Sequence, residues 1–180
     1  MIPHKALFAA TLFAVGIPVF AAEVTIAPSR DTSLFQYDGT YGCGDGPLFA
    51  GQTGAFGIRR ALVRFDVAGA VPAGSTIQSV SLEFYVAQSG PLATITDLGT
   101  LHRILSNWGE GASVCFLGDG VPAETGDATW TYSFYNSSFW ATAGGDFAAL
   151  ASASTAMPVD GSGKFDSTAA MVADVQGWLD

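Results

Sequence analysis

The sequence predicts an all-β fold, a jelly-roll-like antiparallel β-sandwich with one short C-terminal helix. Three observations carry that expectation. Glycine is abundant, at 22 of 180 residues, and charged residues are sparse, at 13%. Short apolar runs recur between glycine-rich turns, as strands joined by tight connections do. The clearest run, IRRALVRFDV at 58–67, alternates in steps of two: Ala61, Val63, Phe65 and Val67 fall on one face, Arg60, Leu62, Arg64 and Asp66 on the other.

The elements follow in order. Residues 1–21 have the pattern of a secretory signal peptide: His4 and Lys5 precede the apolar run ALFAATLFAVGIPVF, and Val19 and Ala21 supply the small residues of a cleavage site. An uncleaved N-terminal anchor is the alternative reading. The mature chain, 22–180, is then one secreted domain with no membrane span. EVTIAP at 23–28 is the expected first strand, followed by a glycine-rich loop holding Cys43. After the strand at 58–67, Pro72 and Gly74 mark a turn. In SVSLEFYVAQ, Val80, Leu82, Phe84 and Val86 form an apolar face, with Glu83 and Tyr85 opposite. GTLHRILSNW at 99–108, the aromatic stretch GDATWTYSFYNSSFW at 126–140, and GGDFAALASASTAMPV at 144–159 supply further strands. The exception is 167–180. There Met171, Val172, Val175, Trp178 and Leu179 recur on one helical face, and Ser167 or Thr168 caps the start.

Composition narrows the function. A net charge of −9 argues against nucleic acid, which requires a basic face. The two cysteines, Cys43 and Cys115, predict a disulfide in an exported chain, with two free thiols as the alternative. No metal-type cysteine or histidine cluster occurs. Only His102 remains in the mature part, which removes most histidine-based catalytic constellations.

Four stretches in order resemble the DNRLRE family of exported β-sandwich modules: RRALVRFDVAGAVPAGSTIQSVSLEFYV, LHRILSNWGEG with its Trp-x-Glu turn, GDATW with its Thr–Trp pair, and MVADVQGWLD with its Val–Gln–x–Trp helix. The resemblance spans nearly all the mature chain. It implies a jelly-roll-like sandwich found in surface and secreted proteins, often beside polysaccharide-acting catalytic or surface-anchor domains. Some relatives bind acidic polysaccharides such as alginate. The sequence departs from the family at GASVCFLGDGVPAETG, 111–126, which separates Trp-x-Glu from Thr–Trp. The family's helix is normally followed by a further strand, so the resemblance also implies a chain cut short at Asp180. Ending in two negative groups at the helix's negative pole, that helix is expected to be loosely held beside an uncovered sheet edge.

The candidate ligand-binding residues are Arg60, Arg64, Tyr85, Tyr135 and Trp140. Arg60 and Arg64 share a predicted strand face, from which two guanidinium groups would grip carboxylates of an acidic glycan. Tyr85 and Glu83 become their neighbours if the two strands pair antiparallel. Surface ion pairs, Arg64–Glu83 and Arg60–Asp66, are the competing reading. Trp108 and Trp130 are expected in the core. Tyr135, Phe139 and Trp140 flank the polar turn Asn136-Ser137-Ser138, which also matches a glycosylation acceptor. They form either a stacking platform for sugar or a loop folded over the sandwich end. No carboxylate pair sits in a glycosidase-like motif, so no enzyme activity is expected. Asp31, Asp45 and Asp119 are loop oxygens for a structural calcium ion, without a calcium-binding spacing, and no other cofactor is implied. Three functions stand, in order: polysaccharide binding, a structural or adhesive surface module, and a fragment of a polysaccharide-degrading enzyme.

Overall fold

A computed structural model describes residues 21–53 and 57–180. The proposed signal peptide lies outside the described residues apart from Ala21. The fold is all-β and antiparallel, with a C-terminal helix, as the sequence predicts. Its strands are β1 (Arg30–Phe35), β2 (Tyr41–Gly42), β3 (Gly51–Thr53), β4 (Gly57–Arg64), β5 (Leu82–Val86), β6 (Leu98–Leu101), β7 (Val121–Pro122), β8 (Tyr132–Phe134), β9 (Ser138–Phe139), β10 (Ala153–Ala156) and β11 (Gly161–Phe165). A single turn of helix, α1 (Val67–Ala70), follows β4, and α2 (Ala169–Leu179) follows β11. Among the described residues the strands are divided into five small sheets: β1–β4–β3, β10–β6, β11–β5, β2–β7 and β8–β9.

β1 organises the molecule. It pairs antiparallel with β4, setting Leu34 opposite Arg60 and Phe35 opposite Arg59. Leu34 belongs to one apolar cluster, with Trp108, Ala128 and Trp140. Phe35 belongs to a second, with Cys43 and Cys115. Because successive residues of a strand face opposite ways, β1 lies between two packed layers. Its polar residues are buried too and are satisfied there: the Thr32 hydroxyl donates to the Cys43 carbonyl, and the Ser33 hydroxyl accepts from the Phe49 amide. A third cluster, Ala153, Phe165 and Met171 with Leu82 and Phe84, lies where the β11–β5 and β10–β6 ladders meet α2.

Several expectations are corrected. Residues 23–28 form no strand; the first strand is β1, in the stretch expected to lead into a loop. The expected strand at 99–108 shrinks to β6, and 144–159 to β10, leaving one isolated bridge between Ile104 and Phe147. β4 also departs from its simple two-faced pattern, because Arg60 and Leu62 turn toward the first cluster while Ala61 is exposed. Covering both faces of the sheet removes the polar side the alternation implied.

The C-terminal helix forms where periodicity places it. Thr168 caps it, accepting from the Met171 amide at 3.0 Å. Met171 and Leu179 are buried, but Trp178 is half exposed. The helix is not loosely held. The Gln176 side chain accepts from the Ile77 amide and donates to the Ser75 carbonyl. Asp174 accepts from the Ser152 hydroxyl and faces Arg103 at 3.4 Å. The Gln of the Val–Gln–x–Trp motif thus clasps the backbone just after the Pro-x-Gly turn, a physical link between two motifs far apart in sequence.

Candidate functional site

The aromatic stretch folds as a small hairpin. β8 and β9 pair with Tyr132 opposite Phe139 and Phe134 opposite Ser138, and a register shift lies between the two pairs. The connection turns through Asn136, which has φ of 62°, the left-handed region that asparagine tolerates better than most residues. The Ser137 amide closes the turn on the Phe134 carbonyl. Behind the hairpin is a buried polar hub. The Thr129 hydroxyl donates to the Gly39 carbonyl and accepts from the Thr131 and Tyr132 amides. The buried Asp127 carboxylate accepts from the Glu124 amide at 2.7 Å, and its carbonyl accepts from the Tyr135 amide. The hairpin is therefore tied to the core by hydrogen bonds rather than draped over it.

The hub also explains two of the resemblance motifs. Gly109 of the Trp-x-Glu turn donates to the Ser133 carbonyl and accepts from the Ala128 amide. A side chain at 109 would meet the Gly126 carbonyl at 1.9 Å, so only glycine allows that approach. The two motifs pack together in space although 111–126 separates them in sequence. That inserted segment is fastened from within by the Cys43–Cys115 disulfide, with Cα atoms 5.3 Å apart. The bridge expected from the cysteine count is present.

Neighbouring aromatics in the stretch have opposite environments. Trp140 is 5% exposed, and its indole N–H donates to the Thr129 carbonyl at 2.8 Å. This corrects its expected place in a sugar-facing platform: it is core, like Trp108. Phe139, one residue earlier, is 67% exposed. Its ring stacks on Tyr132 with centroids 4.3 Å apart and planes 27° from parallel. Tyr135 meets Tyr132 edge-on at 5.3 Å. Tyr132, Tyr135 and Phe139 thus form one aromatic cluster on a braced hairpin. Of the three, Tyr132 was not singled out by sequence reasoning; its alternation with Ser133 could not show that it would stack on Phe139.

The arginines do not assemble into an anion grip. The Arg60 guanidinium lies 4.7 Å from the ring centroids of both Trp130 and Phe147 and donates to the Gly144 carbonyl. Burial lowers its pKa, yet an arginine stays charged. It is a cation held between two rings. Arg59, on the other face of β4, is also buried; burial lowers its pKa and nearby Asp119 opposes that shift. Its Nε donates to the Gly118 carbonyl, and a guanidinium nitrogen donates to the Thr53 hydroxyl. Arg30 donates to the Trp108 carbonyl, Arg103 pairs with Asp174, and Lys164 pairs with Glu83 at 3.8 Å. Among the described residues, Arg64 is the cation whose side chain has neither hydrogen bond nor ion pair. β5 pairs with β11, not with β4, so strand pairing does not bring Tyr85 and Glu83 to Arg64.

Two shallow depressions mark the surface. One, of about 380 Å³, is lined by Leu105, Ser106, Ala141, Thr142, Asp146 and Phe147. Its carboxylate is already occupied. The Ala141 and Thr142 amides and the Ser106 hydroxyl all donate to Asp146, and these bonds, that of Ala141 foremost, hold its pKa below the ordinary value against the opposing effect of burial. The other depression, about 560 Å³, lies along β5 and β11 beside Tyr85. Asp31 is pushed up by burial and by Asp45, but among the described residues no group of three or more potential ligands gathers for a metal ion. No family model, curated protein or solved structure matches this chain. Among the described residues no helix is long and apolar enough to cross a membrane.

Proposed function

We propose that this chain is a secreted, non-catalytic module that binds polysaccharide by stacking sugar rings on the Tyr132–Tyr135–Phe139 cluster. One observation carries the reading: a mostly exposed phenyl ring backed by a second ring at 4.3 Å, on a hairpin bonded to the core. Rings fixed before binding lose little conformational freedom on meeting a ligand. The inward commitment of Arg30, Arg59 and Arg60, with Arg103 and Lys164 paired to carboxylates, favours an uncharged polysaccharide over an acidic, alginate-like one, since acidic glycans are gripped by available arginines and lysines. The Asp146 carboxylate supports the non-catalytic part, because its three hydrogen bonds favour the ionised form and make it a poor proton donor. The DNRLRE resemblance supports the same class of function through its motifs.

A structural or adhesive role is the second reading. Phe116 and Leu117, 79% and 72% exposed beside the disulfide, favour it, being apolar groups offered to solvent by a fastened loop. The test is affinity electrophoresis of the mature domain in gels cast with hydroxyethylcellulose, galactomannan, xylan or alginate. Retardation reduced in Phe139→Ala supports the proposal. Free migration of the wild type in all four gels overturns it in favour of the adhesive reading.

A further inference from the structure

The outward face of the β5–β11 ladder carries a second constellation that the hairpin does not use. The register sets Tyr85 opposite Ser162 and Glu83 opposite Lys164, so these four side chains share one face. Their alternates, Leu82, Phe84 and Phe165, point into the third apolar cluster, which fixes the orientation of the ladder. Tyr85 is 72% exposed and has no ring partner among the described residues. Mid-strand tyrosines usually lie against a cross-strand neighbour. Here that neighbour is a serine, too short to cover the ring. The inner face is closed in a complementary way: Phe84 lies over Gly163, where any side chain would meet the ring at 2.3 Å.

We infer that this face is a second sugar subsite, with Tyr85 as its stacking surface and Glu83, Lys164 and Ser162 as its hydroxyl-binding groups. The chemistry of the four residues points to a pyranose. A flat, amphipathic ring offers its face to the C–H side of a sugar. The neighbouring carboxylate, ammonium and hydroxyl then present acceptors and donors to equatorial hydroxyls. The Glu83–Lys164 pair is solvent-exposed and 3.8 Å long, hence weak, so a hydroxyl can replace or bridge it at little cost. Asp166 also lies 4.0 Å from Lys164, leaving two acids around one base. That excess of negative charge disfavours uronates and selects an uncharged sugar. The site lies on two hydrogen-bonded strands, so its residues are positioned before the ligand arrives.

This inference rests on the polysaccharide-binding reading but uses a different surface, so the two fail separately. A chain with two subsites binds a polymer more tightly than either subsite alone, because the second contact is intramolecular. The experiment is affinity electrophoresis in hydroxyethylcellulose, galactomannan and xylan gels with four proteins: wild type, Tyr85→Ala, Tyr85→Phe, and the double variant Tyr132→Ala/Phe139→Ala. Thermal melts check that each is folded. Tyr85→Ala is expected to weaken apparent affinity for the retarding polymer roughly tenfold or more, with Tyr85→Phe close to wild type. The double variant is expected to keep residual retardation through Tyr85. Tyr85→Ala migrating as wild type, while the double variant runs free, overturns the second subsite and leaves the hairpin reading intact. The opposite pattern overturns the hairpin and keeps Tyr85. Free migration of the wild type in all gels overturns both.

Discussion

Adjacent residues Phe139 and Trp140 should separate stability from binding. Trp140→Ala removes a nearly buried indole from the cluster of Leu34, Trp108 and Ala128. Truncating a buried aromatic costs about 3–5 kcal/mol. It also leaves the buried Thr129 carbonyl without its donor at 2.8 Å. For a domain of this size, each kcal/mol moves the melting temperature by about 2–4 °C, so a fall on the order of 10 °C is expected. Trp140→Phe keeps most of the ring but not the N–H, and should lose about 1–3 kcal/mol, the typical penalty for an unsatisfied buried group. Phe139→Ala forfeits little burial and at most its stacking on Tyr132, about 0.5–1.5 kcal/mol. Urea and thermal unfolding should therefore rank the variants Trp140→Ala, Trp140→Phe, then Phe139→Ala, from largest loss to smallest. Polymer retardation should fall only in Phe139→Ala among those still folded at the assay temperature. Equal melting temperatures for Phe139→Ala and Trp140→Ala would refute the assignment of one ring to the surface and the other to the core.

Other measurements follow from the same contacts. The disulfide spans 72 residues, so Cys43→Ala/Cys115→Ala should lose about 4 kcal/mol by the chain-entropy relation; an unchanged urea midpoint would contradict this. Gln176→Ala orphans the Ile77 amide and the Ser75 carbonyl, and should lower stability by about 1–3 kcal/mol, whereas a loosely held helix would show no change. Asp146 has a lowered pKa in the folded state, so its stabilising effect is present above the ordinary carboxylate pKa and lost as pH falls through the folded value. Asp146→Asn should flatten the acid side of the stability–pH curve, and an unaltered curve would exclude that contribution. Arg60→Met should lower stability through loss of both ring contacts and the Gly144 bond, with no change in glycan retardation; a selective loss of binding would instead restore Arg60 to the site.

Periodicity exposed the elements that have one wet face and one dry face. β5 and α2 were legible in this way, and β4 was located by its alternation although its faces were not those the alternation implied. β1 was not, because Thr32, Ser33, Leu34 and Phe35 are all buried and two of them are polar. A strand covered on both sides has no alternation to read, and the bonds that make its polar residues acceptable, to Cys43 and Phe49, are not local. The fate of the aromatics was equally non-local. Trp140 is core because its indole reaches Thr129 across the hairpin, and Phe139 is exposed because the pairing register sends it the other way. The disulfide could be expected from the cysteine count. That Arg60 would be enclosed by Trp130 and Phe147 could not, since Phe147 comes from a segment 87 residues later in the chain.

The clasp made by Gln176 has a consequence for the order in which the protein can be made. Its partners Ile77 and Ser75 precede it by 99 and 101 residues. At ordinary rates of synthesis, they leave the ribosome roughly 5–20 s before it. During that interval the turn and strand around them have an amide and a carbonyl waiting for a side chain not yet built. The strand β11, which pairs with β5, is also made late. Completion of this half of the fold is therefore postponed until β11 and Gln176 have both been made, about a hundred residues after its first parts.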